Sequence, residues 1–178
     1  MEKRPIRCWS AGCASGEEPY TLSLIWHFIF KEKFPGLDFQ IVATDVDEQL
    51  LERVKTGCYP LASLKGLPKE WLAKAFDIKE EFYCIHSRFG LNIEWIQQDI
   101  RKSFPTGMFD LLLCRNLVAT YFEPALQTAI LGQMKAVLRP GGSLVLGCHE
   151  KLPAGLEGLS ATVEKLNIYE MNINSFDQ

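Results

Sequence analysis

This 178-residue sequence predicts a Rossmann-like α/β fold: a mostly parallel sheet with helices on both faces and an antiparallel pair of strands at its C-terminus. Three observations carry that expectation. Apolar runs of strand length alternate with segments of helical spacing, as in βαβ units. The first such run ends in a turn of small residues, Ala11-Gly12-Cys13-Ala14-Ser15-Gly16, which opens directly into Glu17 and Glu18. Later runs end on Asp45, Asp99 and Arg115-Asn116, and open α/β sheets bind ligands outside the carboxyl ends of their strands.

The elements follow in order. Residues 6–10 are an apolar strand, and Pro19, preset for a first helical turn, sits just inside the helix that follows. Apolar residues at Leu22, Leu24, Ile25, Phe28 and Ile29 extend that helix over 17–33, until Pro35-Gly36 breaks it. Residues 39–44 form a second strand, and 46–55 a helix stopped by Gly57. Residues 58–67 read as loop and 68–76 as a short helix. Residues 82–89 read as a strand or half of a hairpin, and 91–97 as a strand ending near Asp99. Residues 108–114 form a strand that closes on Arg115-Asn116. A helix over 124–138 is terminated by Pro140-Gly141-Gly142, and 143–148 is the strand after it. Segments 161–165 and 167–172 form the terminal antiparallel pair.

Composition narrows the function classes. With 47% apolar residues the chain can bury the core of one domain. A net charge of −3 without a Lys/Arg block argues against nucleic acid as the main partner. No apolar run is long enough to span a membrane, and the N-terminus has no signal-peptide core. The six cysteines are scattered, without a C-x-x-C pair, and several lie in apolar strands where a free thiol packs as a small hydrophobe. That usage predicts a reduced, cytoplasmic setting. His27, His86 and His149 show no ligand spacing, so no metal is expected. His149, beside Glu150 at a strand end, reads as a solvated loop residue before it reads as an acid–base group.

The first turn selects a cofactor. Dinucleotide folds use G-x-G-x-x-G and aim a helix N-terminus at a pyrophosphate. This turn has only two glycines, Gly12 and Gly16, and carboxylates in the first helical turn that would repel phosphate. A phosphate-free adenosine compound with a cationic end, S-adenosylmethionine, suits it better. Asp45 is either the acceptor of ribose hydroxyls or an N-cap of the next helix. Asp99-Ile100 could read an adenine through a carboxylate and a backbone N–H, or could simply make a turn. Arg115, at the mouth of an apolar strand, suits a carboxylate of cofactor or substrate.

These residues carry a family resemblance. Leu138-Arg139-Pro140-Gly141-Gly142 resembles the helix-to-strand corner of class I S-adenosylmethionine-dependent methyltransferases. More specifically, Trp9-Ser10-Ala11-Gly12-Cys13-Ala14-Ser15-Gly16-Glu17-Glu18-Pro19-Tyr20 is very similar to the cofactor loop of CheR-type chemotaxis receptor methyltransferases. So are Ala43-Thr44-Asp45, Thr56-Gly57-Cys58-Tyr59-Pro60 and the stretch 109–116, and the resemblance covers roughly 6–148. It implies S-adenosylmethionine as cofactor and methylation of glutamate carboxylates on a chemoreceptor-like helical protein. Cofactor contacts would then come from Ala11, Gly12, Cys13, Gly16 and Glu17, from Asp45, from Asp99-Ile100, and from Arg115-Asn116. Arg115 and Tyr121 would act beside the reacting methyl, although the segment from Asn116 to Tyr121 is one residue longer than the family pattern. The resemblance implies one catalytic domain over 1–178, with a short β insert at about 76–92 and without the family's N-terminal helical domain. A small-molecule methyltransferase and a non-catalytic domain that binds the cofactor for regulation are the alternatives.

Overall fold

A computed structural model describes residues 4–173. Seven strands form the main sheet: β1 (Ile6–Ala11), β2 (Phe39–Asp45), β6 (Ile93–Gln97), β7 (Phe109–Cys114), β8 (Leu138–Leu146), β9 (Leu159–Val163) and β10 (Ile168–Met171). Their order across the sheet is β6-β2-β1-β7-β8-β10-β9. The first five are parallel, and β10 and β9 add antiparallel at the β8 edge. β1 lies between β2 and β7, so the chain leaves it in opposite directions and a crevice opens at its carboxyl end.

Strand alternation divides the core between two faces. Trp9 and Ala11 of β1 pack with Leu112, Cys114 and the buried Ile130, Leu131 and Met134 of α5 (Pro124–Ala136). Cys8 of β1 packs on the other face with Ile41, Ala43 and Leu51, alongside α1 (Glu17–Ile25) and α2 (Glu48–Thr56). Trp9 is fully buried, and its indole N–H donates to Thr44 Oγ1 at 2.9 Å, which satisfies the one polar atom of the ring. Asp47 caps α2 by accepting from the Gln49 and Leu50 N–H groups, and Gly57 ends it at φ 59°. The short helix expected over 68–76 is α3 (Lys69–Ala75).

The structure corrects the expected elements in four places. α1 ends at Ile25 and continues as a π-helical turn, Trp26–Phe30, closed by the Lys31 N–H on the Trp26 carbonyl. The stretch expected as loop from residue 58 begins with β3 (Cys58–Pro60). With β4 (Phe76–Lys79) and β5 (Phe82–Ile85) it makes a second, antiparallel sheet in the order β3-β5-β4. Pro60 is tolerated there because β3 is an edge. β8 begins at Leu138, ahead of the Pro-Gly-Gly corner, with a register slip against β7 between Phe109 and Leu111. A Cβ on Gly142 would sit 2.9 Å from the Arg139 carbonyl and 3.1 Å from that of Asp110, so this slip requires glycine. Finally, Cys58 and Cys84 face each other across β3 and β5 and form a disulfide, against the expectation of free thiols. Cys8, Cys13 and Cys114 are free and buried, and Cys148 is free and exposed.

Candidate functional site: a crevice at the carboxyl end of β1

The loop after β1 is held by backbone bonds. Gly12 and Cys13 N–H both donate to the Thr44 carbonyl, at 2.8 and 3.0 Å, and Gly16 N–H donates to the Cys13 carbonyl at 2.9 Å. Gly12, Ala14 and Gly16 have φ of 70°, 48° and 89°. A Cβ on Gly12 would lie 2.7 Å from Leu117 Cδ2, so glycine is required there on both conformational and steric grounds. Tyr59 of the small sheet reaches the same loop, donating its hydroxyl to the Ser15 carbonyl at 2.8 Å. Burial pushes the Tyr59 hydroxyl pKa well up, so it stays a donor.

Beside this loop lies a crevice of about 260 Å³. Gly12, Asp45, Asp99 and Ile100 form one part of its wall, and Leu117, Tyr121 and Phe122 another. Five residues predicted from sequence (Gly12, Asp45, Asp99, Ile100 and Tyr121) thus meet at one cavity. Asp45 is half-buried and organises the loop, accepting from Ala14 N–H (Oδ2, 2.8 Å) and Asp47 N–H (Oδ1, 2.9 Å). Asp47, not Asp45, is therefore the N-cap. The Asp99 carboxylate is committed to a fork from Arg101, with Nε and Nη2 each at 2.8 Å. Those bonds, and the Arg101 N–H at 3.0 Å, bring the Asp99 pKa down to about 2.

The other predicted residues are not part of the crevice wall. Ala11 and Cys13 are buried beneath the loop, and burial pushes the Cys13 thiol up to about 12. Gly16 starts α1, against Val54 and Trp95. Glu17 and Arg115 do not line the crevice. They line a neighbouring groove with Glu18, and Arg115 Nη1 donates to Glu18 Oε2 at 3.1 Å while Ser10 Oγ donates to Glu18 Oε1 at 2.6 Å. Asn116, at φ 51°, lines neither. Sequence reasoning missed the wall residues Val46, Gln98, Arg101, Leu117 and Phe122. Of these only Arg101 left a signal, a base two residues after a strand-end acid.

The residues fit S-adenosylmethionine. Each Asp45 oxygen retains acceptor capacity beyond its one backbone bond, as a ribose diol needs. The crevice wall is otherwise mainly apolar, as an adenine needs. Arg101 and Arg115 are each paired with a carboxylate instead of being held as a phosphate cradle.

The family model described as "CheR methyltransferase, SAM binding domain" matches residues 1–167. The chain belongs to this family. Its curated relatives agree. A chemotaxis protein methyltransferase 1 of Vibrio cholerae is 36% identical over 155 residues, covering 84% of this chain and 56% of that protein. The chemotaxis protein methyltransferase Cher2 of Pseudomonas putida is 36% identical over 152 residues, covering 83% and 55%. The chain therefore spans about half the length of the curated relatives it matches. S-adenosylmethionine is the cofactor of this CheR domain.

Proposed function

We propose that this CheR domain transfers a methyl group to the side-chain carboxylate of a glutamate on a helical, chemoreceptor-like protein. The observation that carries the reading is the crevice itself. A loop with two glycines in left-handed backbone, an acid with spare acceptors and a wall arginine, Arg101, neutralised by Asp99 favour a cationic adenosine compound over a dinucleotide. The cofactor supplies a methyl group activated by a sulfonium. A glutamate acceptor is ionised at pH 7, with an ordinary pKa near ~4.3, so no residue of this chain has to take a proton.

The chain's task is alignment. Arg115 spends one N–H on Glu18 and keeps the other guanidinium donors for an acceptor carboxylate. Tyr121, 74% exposed at the crevice wall, offers a hydroxyl from the crevice while Arg115 reaches from the adjoining groove. Holding the carboxylate in line with the methyl can lower the barrier by up to roughly 7–11 kcal/mol. Glu17 serves the cationic end of the cofactor in this reading, from the first turn of α1. A cytoplasmic location accompanies such a partner, and the three buried free thiols agree with it; the Cys58–Cys84 bond is the feature a reducing compartment would open.

Calorimetry with S-adenosylmethionine, its demethylated product and NAD tests the cofactor reading: the first two bind and NAD does not. Transfer of a tritiated methyl to a helical receptor fragment, released again by mild base, tests the acceptor. Labelling that survives base would mean a nitrogen or carbon acceptor and would end the carboxylate reading.

A further inference from the structure

We infer that Glu150, a residue outside the crevice wall, is the positioning residue for the segment that carries Arg115 and Tyr121. Glu150 is 5% exposed, the only charged residue that is buried among the described residues. Its carboxylate accepts four hydrogen bonds. Oε2 takes Asn116 N–H at 2.8 Å and Gly147 N–H at 2.7 Å; Oε1 takes Leu117 N–H at 3.2 Å and the Thr120 hydroxyl at 2.6 Å. Three of the four donors lie in the single stretch from Asn116 to Thr120, and the fourth is at the end of β8. One carboxylate thus ties the segment after β7 to the neighbouring strand.

Two further observations make that tie specific. A Cβ on Gly147 would sit 2.5 Å from Asn116 Oδ1 and 2.7 Å from Glu150 Oε2, so the two segments are in contact with no room for a side chain between them. And Asn116 is held at φ 51°, a conformation that needs its surroundings to maintain it. On either side of the tie stand Arg115, bonded to Glu18, and Leu117, against Gly12. Past Leu117, the short helix α4 (Val118–Tyr121) ends at Tyr121. Thr120, within the stretch that is one residue longer than the family pattern, is itself a donor to Glu150, so that stretch is fastened instead of looping free.

The geometry demands a carboxylate. Three of the four partners, the Asn116, Leu117 and Gly147 N–H groups, can only donate, and an amide offers only one acceptor oxygen. In Glu150→Gln the NH₂ faces either the Asn116 and Gly147 N–H groups or, after a flip, the Leu117 N–H beside a Thr120 hydroxyl that can turn to accept, so at least one N–H is left unpaired whichever way it flips. Because Arg115 and Tyr121 act on the acceptor while Asp45 and Ile100 face the adenosine side, Glu150→Gln should act on turnover more than on cofactor affinity. This division rests on the proposed methyl-transfer reading.

The test uses the full-length protein, with Glu150→Gln, Glu150→Asp and Thr120→Val. Nuclear magnetic resonance follows the amides of Asn116, Leu117 and Gly147 and the guanidinium of Arg115; calorimetry follows S-adenosylmethionine. In Glu150→Gln the amides on the side that meets the NH₂, Asn116 with Gly147 or else Leu117, lose hydrogen-exchange protection and the Arg115 signal broadens, while β1 and β7 amides stay protected. Methyl transfer to the receptor fragment falls by about 100-fold, the scale of an ångström-sized misplacement, and cofactor Kd rises by a smaller factor, since Leu117 also lines the crevice. Glu150→Asp, which keeps the charge, restores part of the turnover. If Glu150→Gln does not fold, Thr120→Val decides the matter, since it removes one donor and should loosen Leu117 and the Arg115 signal in the folded protein. An Arg115 signal and local amides unchanged in the folded variants would overturn the inference, as would equal loss of protection throughout the sheet. Absence of cofactor binding by the unmutated protein would instead strike the methyl-transfer reading.

Discussion

Replacing Asp45 by asparagine tests the ribose assignment with a magnitude that follows from the structure. The carboxylate uses one oxygen on Ala14 N–H and the other on Asp47 N–H. An asparagine keeps one acceptor oxygen and points an NH₂ at the other amide. A hydrogen bond to a charged group is worth about 1.5–3 kcal/mol, so the loop loses roughly that much, and a chain of this size should melt about 3–12 °C lower. The ribose loses one charged acceptor as well, which is worth about 10- to 150-fold in Kd. Calorimetry measures the Kd, and a cofactor analogue lacking the 2′-hydroxyl separates the two losses. The unmutated protein should bind the analogue at least about tenfold more weakly than the cofactor, whereas the Asp45→Asn variant should hardly distinguish the two. If both proteins discriminate equally, Asp45 does not read the ribose and the reasoning fails. If affinity falls while the melting temperature stays put, the two backbone bonds are the error.

Three other outcomes follow from named contacts. Tyr121→Phe removes one hydroxyl at the crevice mouth and should lower kcat by about 2- to 10-fold with cofactor Kd unchanged; steady-state kinetics and calorimetry together would contradict the role if both fell alike. Replacing Cys58 and Cys84 with serine opens a cross-link spanning 26 positions, which costs about 3.5 kcal/mol in the chain-entropy model; urea titration reads it, and a loss under about 1 kcal/mol would deny that the link constrains the unfolded chain. Because Arg101 lowers the pKa of Asp99 to about 2, their pairing stabilises the fold fully above about pH 4 and loses that contribution as pH falls toward 2. Arg101→Ala should therefore flatten the fall of the denaturation midpoint between about pH 4 and 2, and an unchanged slope would place the proton elsewhere.

Most of the main sheet could be read in advance, since β1, β2 and β7 are short apolar runs with clear stops and α2 carries a terminal glycine. The acids at strand ends were legible for the same reason: a charge beside a buried run has few places to go. What escaped notice depends on distant partners. β3 is three residues long and contains a proline, so only its pairing with β5 makes it a strand. The Cys58–Cys84 bond brings together positions that no spacing links. Glu150 received no assignment of its own because three of its four donors come from a stretch some thirty residues earlier in the chain. Leu117 and Phe122 became crevice wall only through the path of the segment after β7.

The tyrosine that joins the small sheet to the glycine turn adds a direct backbone link between two pieces that already share packing through Leu24 and Tyr20 of α1. Ser15 stands between Ala14 and Gly16, both wound left-handed, and its carbonyl is the atom gripped by Tyr59. Such a backbone has few neighbouring conformations to slide into. A load applied to the outer sheet by anything that seats there is therefore delivered as a tug on the cofactor's cradle, with little slack along the way to absorb it.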